Sequence, residues 1–558
     1  MNDEPEPASR DFGTASRRIT PAFRPVQVPK TAPCQVACPN CGDIRGWIGT
    51  VAQRQKMGLS REEAYARAWR VIVDVNPFPS CLGRICPHPC EQHCNRNDLD
   101  EPLAINAMER FLGDYAIKQS LPLERLDKRR QAEWIGVVGA GPSGLSFAYQ
   151  MARRGYRVTV YEEKAQAGGM LRYGVPDYRL PQYILDAEIE RILTLGVELE
   201  TGVAIGRDLT LDELRTRHAA IYLGMGAQMG RALGIPGEKG PSVWVGTDYL
   251  AAVNCGDSVD LGSRVIVIGG GNTAMDAARS ARRSGAEVTI LYRRSQQEMP
   301  AIASEIDEAL EEGVNLVLLA APLRVNRSAD GTLLGIIASR MELGEPDASG
   351  RRRPVAIAGS EFSLAADSLI AAVSQSPFIE GFETLDHEGP WFHVDSCGDV
   401  AQGVLAGGDL LGLGIAGNAI VQGRRAAERL HAQLKGVDSS MDEVLERPGI
   451  KSERVKFESR PAVPAARQPK LSANERLTKQ TAEVTSTIPE NAFLAEIERC
   501  YSCGSCMGCE HCSMFCTPGC FTGLEEVGPG MYFTLTLDNC EECGKCIEVC
   551  PCGFLEAR

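Results

Sequence analysis

Residues 135–163 read IGVVGAGPSGLSFAYQMARRGYRVTVYEE. A short β-branched run leads into Gly139, Gly141 and Gly144 in G-x-G-x-x-G spacing, an amphipathic stretch follows, and a second apolar run ends on Glu162. Strand, glycine turn, helix and strand in that order form a dinucleotide-binding βαβ unit. The glycines allow a tight turn and the close approach of a pyrophosphate, whose charge is met by N–H groups at the helix N-terminus. Glu162 is placed to accept hydrogen bonds from adenosine ribose hydroxyls.

The pattern repeats at residues 264–295, RVIVIGGGNTAMDAARSARRSGAEVTILYRRS, with Gly269, Gly271 and Ala274 in the variant that ends in alanine. Here the acid is missing. Tyr292-Arg293-Arg294 stands where the first unit has Tyr161-Glu162, and guanidinium groups suit a 2′-phosphate, which favours NADP over NAD. Against this, both arginines can be solvated charges at a strand end. A third segment, residues 403–430, carries a strand ending on Asp409 and a helix starting near Asn418. In flavoproteins with two dinucleotide units such a segment closes the FAD domain, its acid holding the ribityl chain and its helix N-terminus facing the flavin. The NAD(P) domain is thus expected as an insertion in the FAD domain.

At 558 residues the chain is too long for one core. Its 44% hydrophobic and 24% charged residues are ordinary for a globular protein, and no apolar run is long enough for a membrane span. The first residues lack the order of a secretory signal, so a cytoplasmic location is expected. A net charge of −14 disfavours a nucleic-acid role.

Of 21 cysteines, seven fall between Cys34 and Cys94, seven between Cys500 and Cys520 and five between Cys540 and Cys552. Cys255 and Cys397 stand alone and read as buried small residues. In a reducing compartment such bunches point to metal rather than disulfides. Cys540-x2-Cys543-x2-Cys546-x3-Cys550-Pro551 is the bacterial ferredoxin run, and Cys506-x2-Cys509-x2-Cys512-x3-Cys516 is its partner. In that arrangement the fourth thiolate of each run ligates the other cube. One [4Fe–4S] cluster is therefore assigned to Cys506, Cys509, Cys512 and Cys550, the other to Cys540, Cys543, Cys546 and Cys516. Zinc accounts for neither the x3 step nor the proline. Cys500, Cys503, Cys520 and Cys552 are surplus. The N-terminal group, PCQVACPNC and NPFPSCLGRICPHPCEQHC, points to a further cluster assembled from two distant segments.

The expected organisation is a flexible arm over 1–30 and a helical iron–sulfur domain over 31–130. A FAD-binding domain is split over 131–255 and 381–434 around an NAD(P)-binding domain at 256–380. A linker over 435–490 leads to a ferredoxin-like α+β domain over 491–558. The class is multidomain, with a Rossmann-like α/β core.

CQVACP, NPFPSCLGRICPHPCE, VVGAGPSGL, GGMLRYGVPDYRLP, VIGGGNTAMDAAR, YRRSQQEMPA and GVLAGGD occur in that order from about Pro33 to Leu434. In these marks the chain resembles the small subunit of bacterial glutamate synthase and the N-terminal half of dihydropyrimidine dehydrogenase. The Cys-rich C-terminus looks like the ferredoxin tail of some members of that group. The resemblance implies FAD on Gly139, Gly141, Gly144, Glu162, Gly169, Met170, Arg179 and Asp409, with Gly408 and Ala419 in the closing segment. It implies nicotinamide nucleotide on Gly269, Gly271, Asn272, Thr273, Ala274, Arg293 and Arg294. It also implies one N-terminal cluster on Cys38, Cys86 and Cys90 with a non-cysteine ligand near Glu109. A second would use Cys34, Cys94 and two upstream cysteines. No cysteine precedes Cys34, which leaves Cys41 or Cys81 to replace the missing pair and the N-terminal count at one or two clusters.

These readings converge on an NAD(P)H-dependent FAD and iron–sulfur oxidoreductase exchanging electrons with ferredoxin or a partner redox subunit, for example of a 2-oxoacid oxidoreductase, within a hetero-oligomer. A glutamate synthase small subunit and a redox-sensing iron–sulfur scaffold are the alternatives.

Overall fold

The computed structural model describes residues 23–347, 350–395, 398–437 and 447–558. A six-stranded sheet forms the first core in the order Asp399–Ala401, Val404–Ala406, Ala220–Leu223, Trp134–Val138, Arg157–Glu162 and Glu198–Thr201. Its strands are parallel apart from the Asp399–Ala401 edge. The central strand Trp134–Val138 is buried from Ile135 onward, as its unbroken apolar run requires of a strand covered on both faces. Helix Ala416–Lys435 lies along helix Pro142–Arg153, and a Cβ at Gly423 would fall 2.2 Å from the Ser143 carbonyl oxygen, so only glycine permits this approach.

The second core is a five-stranded parallel sheet, ordered Asn315–Leu318, Glu287–Tyr292, Arg264–Ile268, Ser368–Ala371 and Val243–Val245. It is inserted between strands Ala220–Leu223 and Asp399–Ala401 of the first. Because Val243–Val245 pairs with Ser368–Ala371, the inserted domain takes in residues before the expected boundary at 255/256. An antiparallel sheet of Ala320–Arg327, Leu333–Pro346, Arg352–Ala356 and Phe362–Ala365 packs on one face of it, around Ile266, Ile268, Leu291 and Leu369.

The N-terminal unit is helical. Helix Arg61–Val73 begins on a capping box between Ser60 and Glu63 and buries Tyr65, Ala68, Trp69 and Ile72 on one face. Residues 1–22 of the expected arm lie outside the described residues, whereas Pro25–Gln27 pairs with Leu555–Ala557 and belongs to the tail. The segment expected as a linker is, from residue 447, laid along the inserted domain, the first dinucleotide domain and the N-terminal helical unit. Lys470 and Arg476 pair with Glu308 and Glu311, each at 2.8 Å, the Val484 N–H donates to the Tyr178 carbonyl, and Glu483 binds Arg84 and Arg110 at 2.6 and 2.7 Å. Ion pairs and the scattered apolar anchors Ile450, Val455, Val484 and Ile488 hold it, with no regular apolar stripe, so hydrophobic periodicity gave no sign of it. Helix Glu490–Glu498 then inserts Phe493 into the N-terminal helical core, stacked on Phe111 at 4.1 Å. Burying such a ring contributes roughly 1.5–3 kcal/mol. Cys255 is exposed at the end of helix Gly246–Asn254, a correction to the buried reading, because the helix end turns its side chain to solvent. Cys397 lies outside the described residues.

Candidate active site

Gly141 caps helix Pro142–Arg153, and Pro142 at its first position removes one N–H that would have no partner in any case. Gly139 adopts φ +94° and Gly169 φ +51°, and a Cβ on Gly169 would come within 2.8 Å of the Gly141 Cα. Two glycines closing on one another leave a bare backbone cradle at the helix N-terminus. A Cβ on Gly144 would strike the Gly139 carbonyl at 2.0 Å, which explains the third glycine as helix-to-strand packing. Glu162 is buried, and its two oxygens accept the N–H groups of Ala140 at 2.7 Å and Lys164 at 2.9 Å. Burial raises its pKa. The carboxylate is thereby fixed at the strand end with lone pairs left for ribose hydroxyls. These features fit an adenine dinucleotide.

The closing segment packs on the same helix. Gly408 has φ +76°, its N–H donates to Gln422 Oε1 at 2.6 Å, and a Cβ there would meet the Ser143 Cβ at 2.9 Å. Asp409 follows, accepting the Gly414 N–H at 3.1 Å, and burial pushes its carboxyl up to about 6. Ala419 is buried one turn into helix Ala416–Lys435. Met170 opens the short helix Met170–Tyr173. Arg179 reaches a different place: its guanidinium is buried against Asp276 at 2.7 Å and Glu305 at 3.0 Å in the inserted domain. Residues 169–179 therefore run from the first cradle to the helix of the second.

In the second cradle Gly271 caps helix Asn272–Arg283, and Gly269, at φ +149°, has no room for a Cβ against the Ala372 carbonyl at 2.2 Å. Asn272 accepts the Ile302 N–H at 3.0 Å, Thr273 accepts from Gln375 at 3.4 Å, and Ala274 is wholly buried. The two arginines separate. Arg293 is exposed beyond strand Glu287–Tyr292. Arg294 is buried, donating to the Arg352 carbonyl at 2.7 Å and pairing with Asp347 at 2.5 Å. Arg293 alone presents its charge outward.

The cysteines gather into groups of free thiols. Cys38, Cys86 and Cys90 lie within electrostatic reach of one another and of Glu109. Burial pushes Cys38 up to about 11, and burial with the Glu109 charge pushes Cys86 up to about 12. Burial likewise lifts Glu109 to about 7 against the hydrogen bond from Asn76 at 2.8 Å. In the tail, Cys506, Cys509, Cys512 and Cys550 form a second group, with Cys552 sulfur 3.7 Å from that of Cys550. Cys516, Cys540, Cys543 and Cys546 form a third, joined by Cys520. N–H groups aim at the sulfurs, as from His88 to Cys86 at 3.4 Å and from Cys520 to Cys516 at 3.3 Å. Among the described residues no three His, Cys, Asp or Glu side chains crowd closely enough to hold a single metal ion.

The family described as pyridine nucleotide-disulphide oxidoreductase matches residues 135–436, over half of the chain. The chain belongs to that family. A second description, dihydropyrimidine dehydrogenase domain II with a 4Fe-4S cluster, matches residues 11–121 of this oxidoreductase. The chain is 35% identical to the NADP(+)-dependent formate dehydrogenase subunit beta of Moorella thermoacetica, over 88% of itself and 73% of the relative. It is 39% identical to the NADPH-Fe(3+) oxidoreductase subunit beta of Geobacter sulfurreducens over 62% of itself, and it spans about half, 51%, of that relative. It is 34% identical to the glutamate synthase [NADPH] small chain of Azospirillum brasilense, over 72% and 86% of the two chains. The resemblance read from the sequence is thus borne out, and the protein is an FAD, NAD(P) and iron–sulfur oxidoreductase. No helix among the described residues is long and apolar enough to cross a membrane.

Proposed function

We propose that this oxidoreductase takes hydride from NADPH and delivers single electrons through its C-terminal tail to ferredoxin or a partner redox subunit, working in the cytosol as part of a hetero-oligomer. Bound FAD supplies the change from two-electron to one-electron chemistry, and [4Fe–4S] clusters supply conduction. The observation that carries the reading is the pairing of two glycine cradles of opposite character, one ending on buried Glu162 and the other on exposed Arg293, in a chain that also gathers three thiol groups.

FAD is assigned to Gly139, Gly141, Gly144, Glu162, Gly169, Met170, Gly408, Asp409 and Ala419. NADPH is assigned to Gly269, Gly271, Asn272, Thr273, Ala274 and Arg293. In this reading Arg179 sets the two cradles against each other through Asp276 and Glu305, and Arg294 shapes the strand end without touching nucleotide. Cys38, Cys86 and Cys90 with Glu109 hold one cluster. The two tail groups hold one each, on Cys506, Cys509, Cys512 and Cys550 and on Cys516, Cys540, Cys543 and Cys546. Ligation requires deprotonated sulfur, so a cluster must overcome the pKa that burial raises at Cys38, Cys86, Cys90, Cys506, Cys509, Cys512 and Cys546.

The match to 86% of a glutamate synthase small chain favours a second reading, an electron-donating small subunit of such an enzyme. Anaerobic protein with NADPH should reduce viologen dye steadily, and faster than with NADH. Failure to reduce dye by protein that holds FAD and iron would overturn the proposal; glutamate formation with a large subunit would select the second reading.

A further inference from the structure

We propose that Cys34, Cys94, Cys500 and Cys503 together hold a [4Fe–4S] cluster shared between the N-terminal helical unit and the start of the C-terminal tail. The inference rests on the electron-transfer reading and names a connection within it. Two of these cysteines sit in the N-terminal bunch and two are surplus to the ferredoxin runs, more than 400 residues away along the chain.

The fold brings them together by named contacts. Helix Glu490–Glu498 belongs physically to the helical unit: Phe493 stacks on Phe111 and meets Tyr65 edge-on, and Glu496 accepts the Ala104 N–H at 2.8 Å. Arg499 donates to the Glu101 carbonyl at 2.7 Å, and Arg96, two residues after Cys94, donates to the Arg499 carbonyl at 2.8 Å. Cys500 therefore emerges beside Cys94. One guanidinium nitrogen of Arg45 then binds both the Cys503 carbonyl at 2.6 Å and the Lys30 carbonyl at 2.7 Å, while the Lys30 N–H donates to the Gly504 carbonyl at 2.9 Å. Lys30 is four residues ahead of Cys34, so these bonds set Cys503 beside Cys34.

The four sulfurs lie within electrostatic reach of one another, and burial raises the pKa of each thiol. N–H groups point at them, from Ser502 to Cys500 at 3.3 Å and from Leu103 and Arg96 to Cys94. A cubane with four thiolates carries a net charge of about −2, and the guanidinium groups of Arg45, Arg96 and Arg460 stand around these segments to offset it. The cysteines expected as replacements are placed differently. Cys81 is enclosed against Glu188, whose carboxylate accepts its N–H at 3.0 Å, and the Cys41 sulfur faces the Pro39 carbonyl at 3.9 Å.

Loading by exchange balances without a redox change: four Cys S–H groups displace four small thiolates from a preformed cluster, each giving its proton to the departing thiolate. The position is that of a link. Cys34 and Cys94 are each four residues from members of the Cys38, Cys86 and Cys90 group, and Cys503 is three residues from Cys506. An electron entering from the first side leaves by the other with no bond made or broken.

Anaerobically purified full-length protein should contain about sixteen irons per FAD, four clusters of [4Fe–4S] type. Cys500→Ser with Cys503→Ser should lower this to about twelve with FAD retained. Cys34→Ser should remove the same four, so the triple variant also holds about twelve, while Cys41→Ser with Cys81→Ser keeps all. Wild-type iron in the Cys500/Cys503 variant, or about eight irons in the triple variant, would overturn the proposal. Should the double variant lose FAD too, Cys503→Ser alone decides: one reduced-cluster EPR signal should change, and a spectrum identical to wild type would refute the shared site. Wild type lacking both FAD and iron would instead defeat the electron-transfer reading itself.

Discussion

Arg293 and Arg294 are adjacent, carry the same charge and should respond oppositely to the same substitution. Arg293→Gln removes an exposed guanidinium at the end of strand Glu287–Tyr292. A hydrogen bond to a charged partner contributes about 1.5–3 kcal/mol, and each 1.4 kcal/mol is about a factor of ten. The concentration of NADPH needed for half-maximal flavin bleaching should therefore rise roughly 10–100-fold, while that of NADH, which lacks the 2′-phosphate, should stay within about twofold. Arg294→Gln breaks a pair in which the arginine side chain is only 4% exposed, with Asp347 at 2.5 Å. Its loss should fall on stability, by about 1.5–3 kcal/mol, with the NADPH-to-NADH preference kept. Anaerobic stopped-flow titration of both variants with both nucleotides, alongside thermal unfolding, separates the two. Unchanged preference in Arg293→Gln together with lost preference in Arg294→Gln would refute the assignment and show that the buried arginine turns out to meet the nucleotide.

Cys546→Ser should leave FAD content and flavin bleaching by NADPH in place and abolish transfer to a protein acceptor, which stopped-flow absorbance with and without acceptor reads directly. Glu312→Gln should destabilise the inserted domain by about 3–5 kcal/mol, because fully buried Glu312 faces Arg279 and Arg283 at 2.8 Å each; urea unfolding measures it. In FAD-free protein Asp409 holds its proton to about pH 6 in the folded state, against about 3.9 when unfolded. Between those values the folded state binds more protons, so its contribution to stability falls as pH rises and levels off above about 6. The difference in unfolding midpoint between wild type and Asp409→Asn should shift in favour of the variant from pH 5 to pH 7.

Local chemistry was the legible part. The Gly139, Gly141 and Gly144 turn, Glu162 at a strand end and the x2, x2, x3 spacing of the tail cysteines each state their requirement within a few residues, and the structure places the glycine turn and Glu162 in the strand–helix–strand unit expected of them. Long-range partnerships were not legible. Nothing in the sequence around Cys500 says that Arg96 and Arg45 will draw it to Cys94 and Cys34. Nor does composition reveal that residues 447–489 are held by pairs such as Glu483 with Arg84, since opposite charges leave no period of their own. Arg293 and Arg294 look alike until Asp347, far along the chain, buries one of them. Pro25–Gln27 reads as part of a polar arm because its partner strand is Leu555–Ala557.

The account depends on electrons from NADPH crossing the whole chain. Anaerobic, substoichiometric NADPH added to the purified protein, followed by rapid freezing and EPR at successive times, tests this directly. Flavin bleaching should precede cluster reduction, and the tail clusters should be reduced at a rate matching delivery to a protein acceptor. Clusters that stay oxidised while NADPH bleaches the flavin, yet are reduced by dithionite, would contradict it.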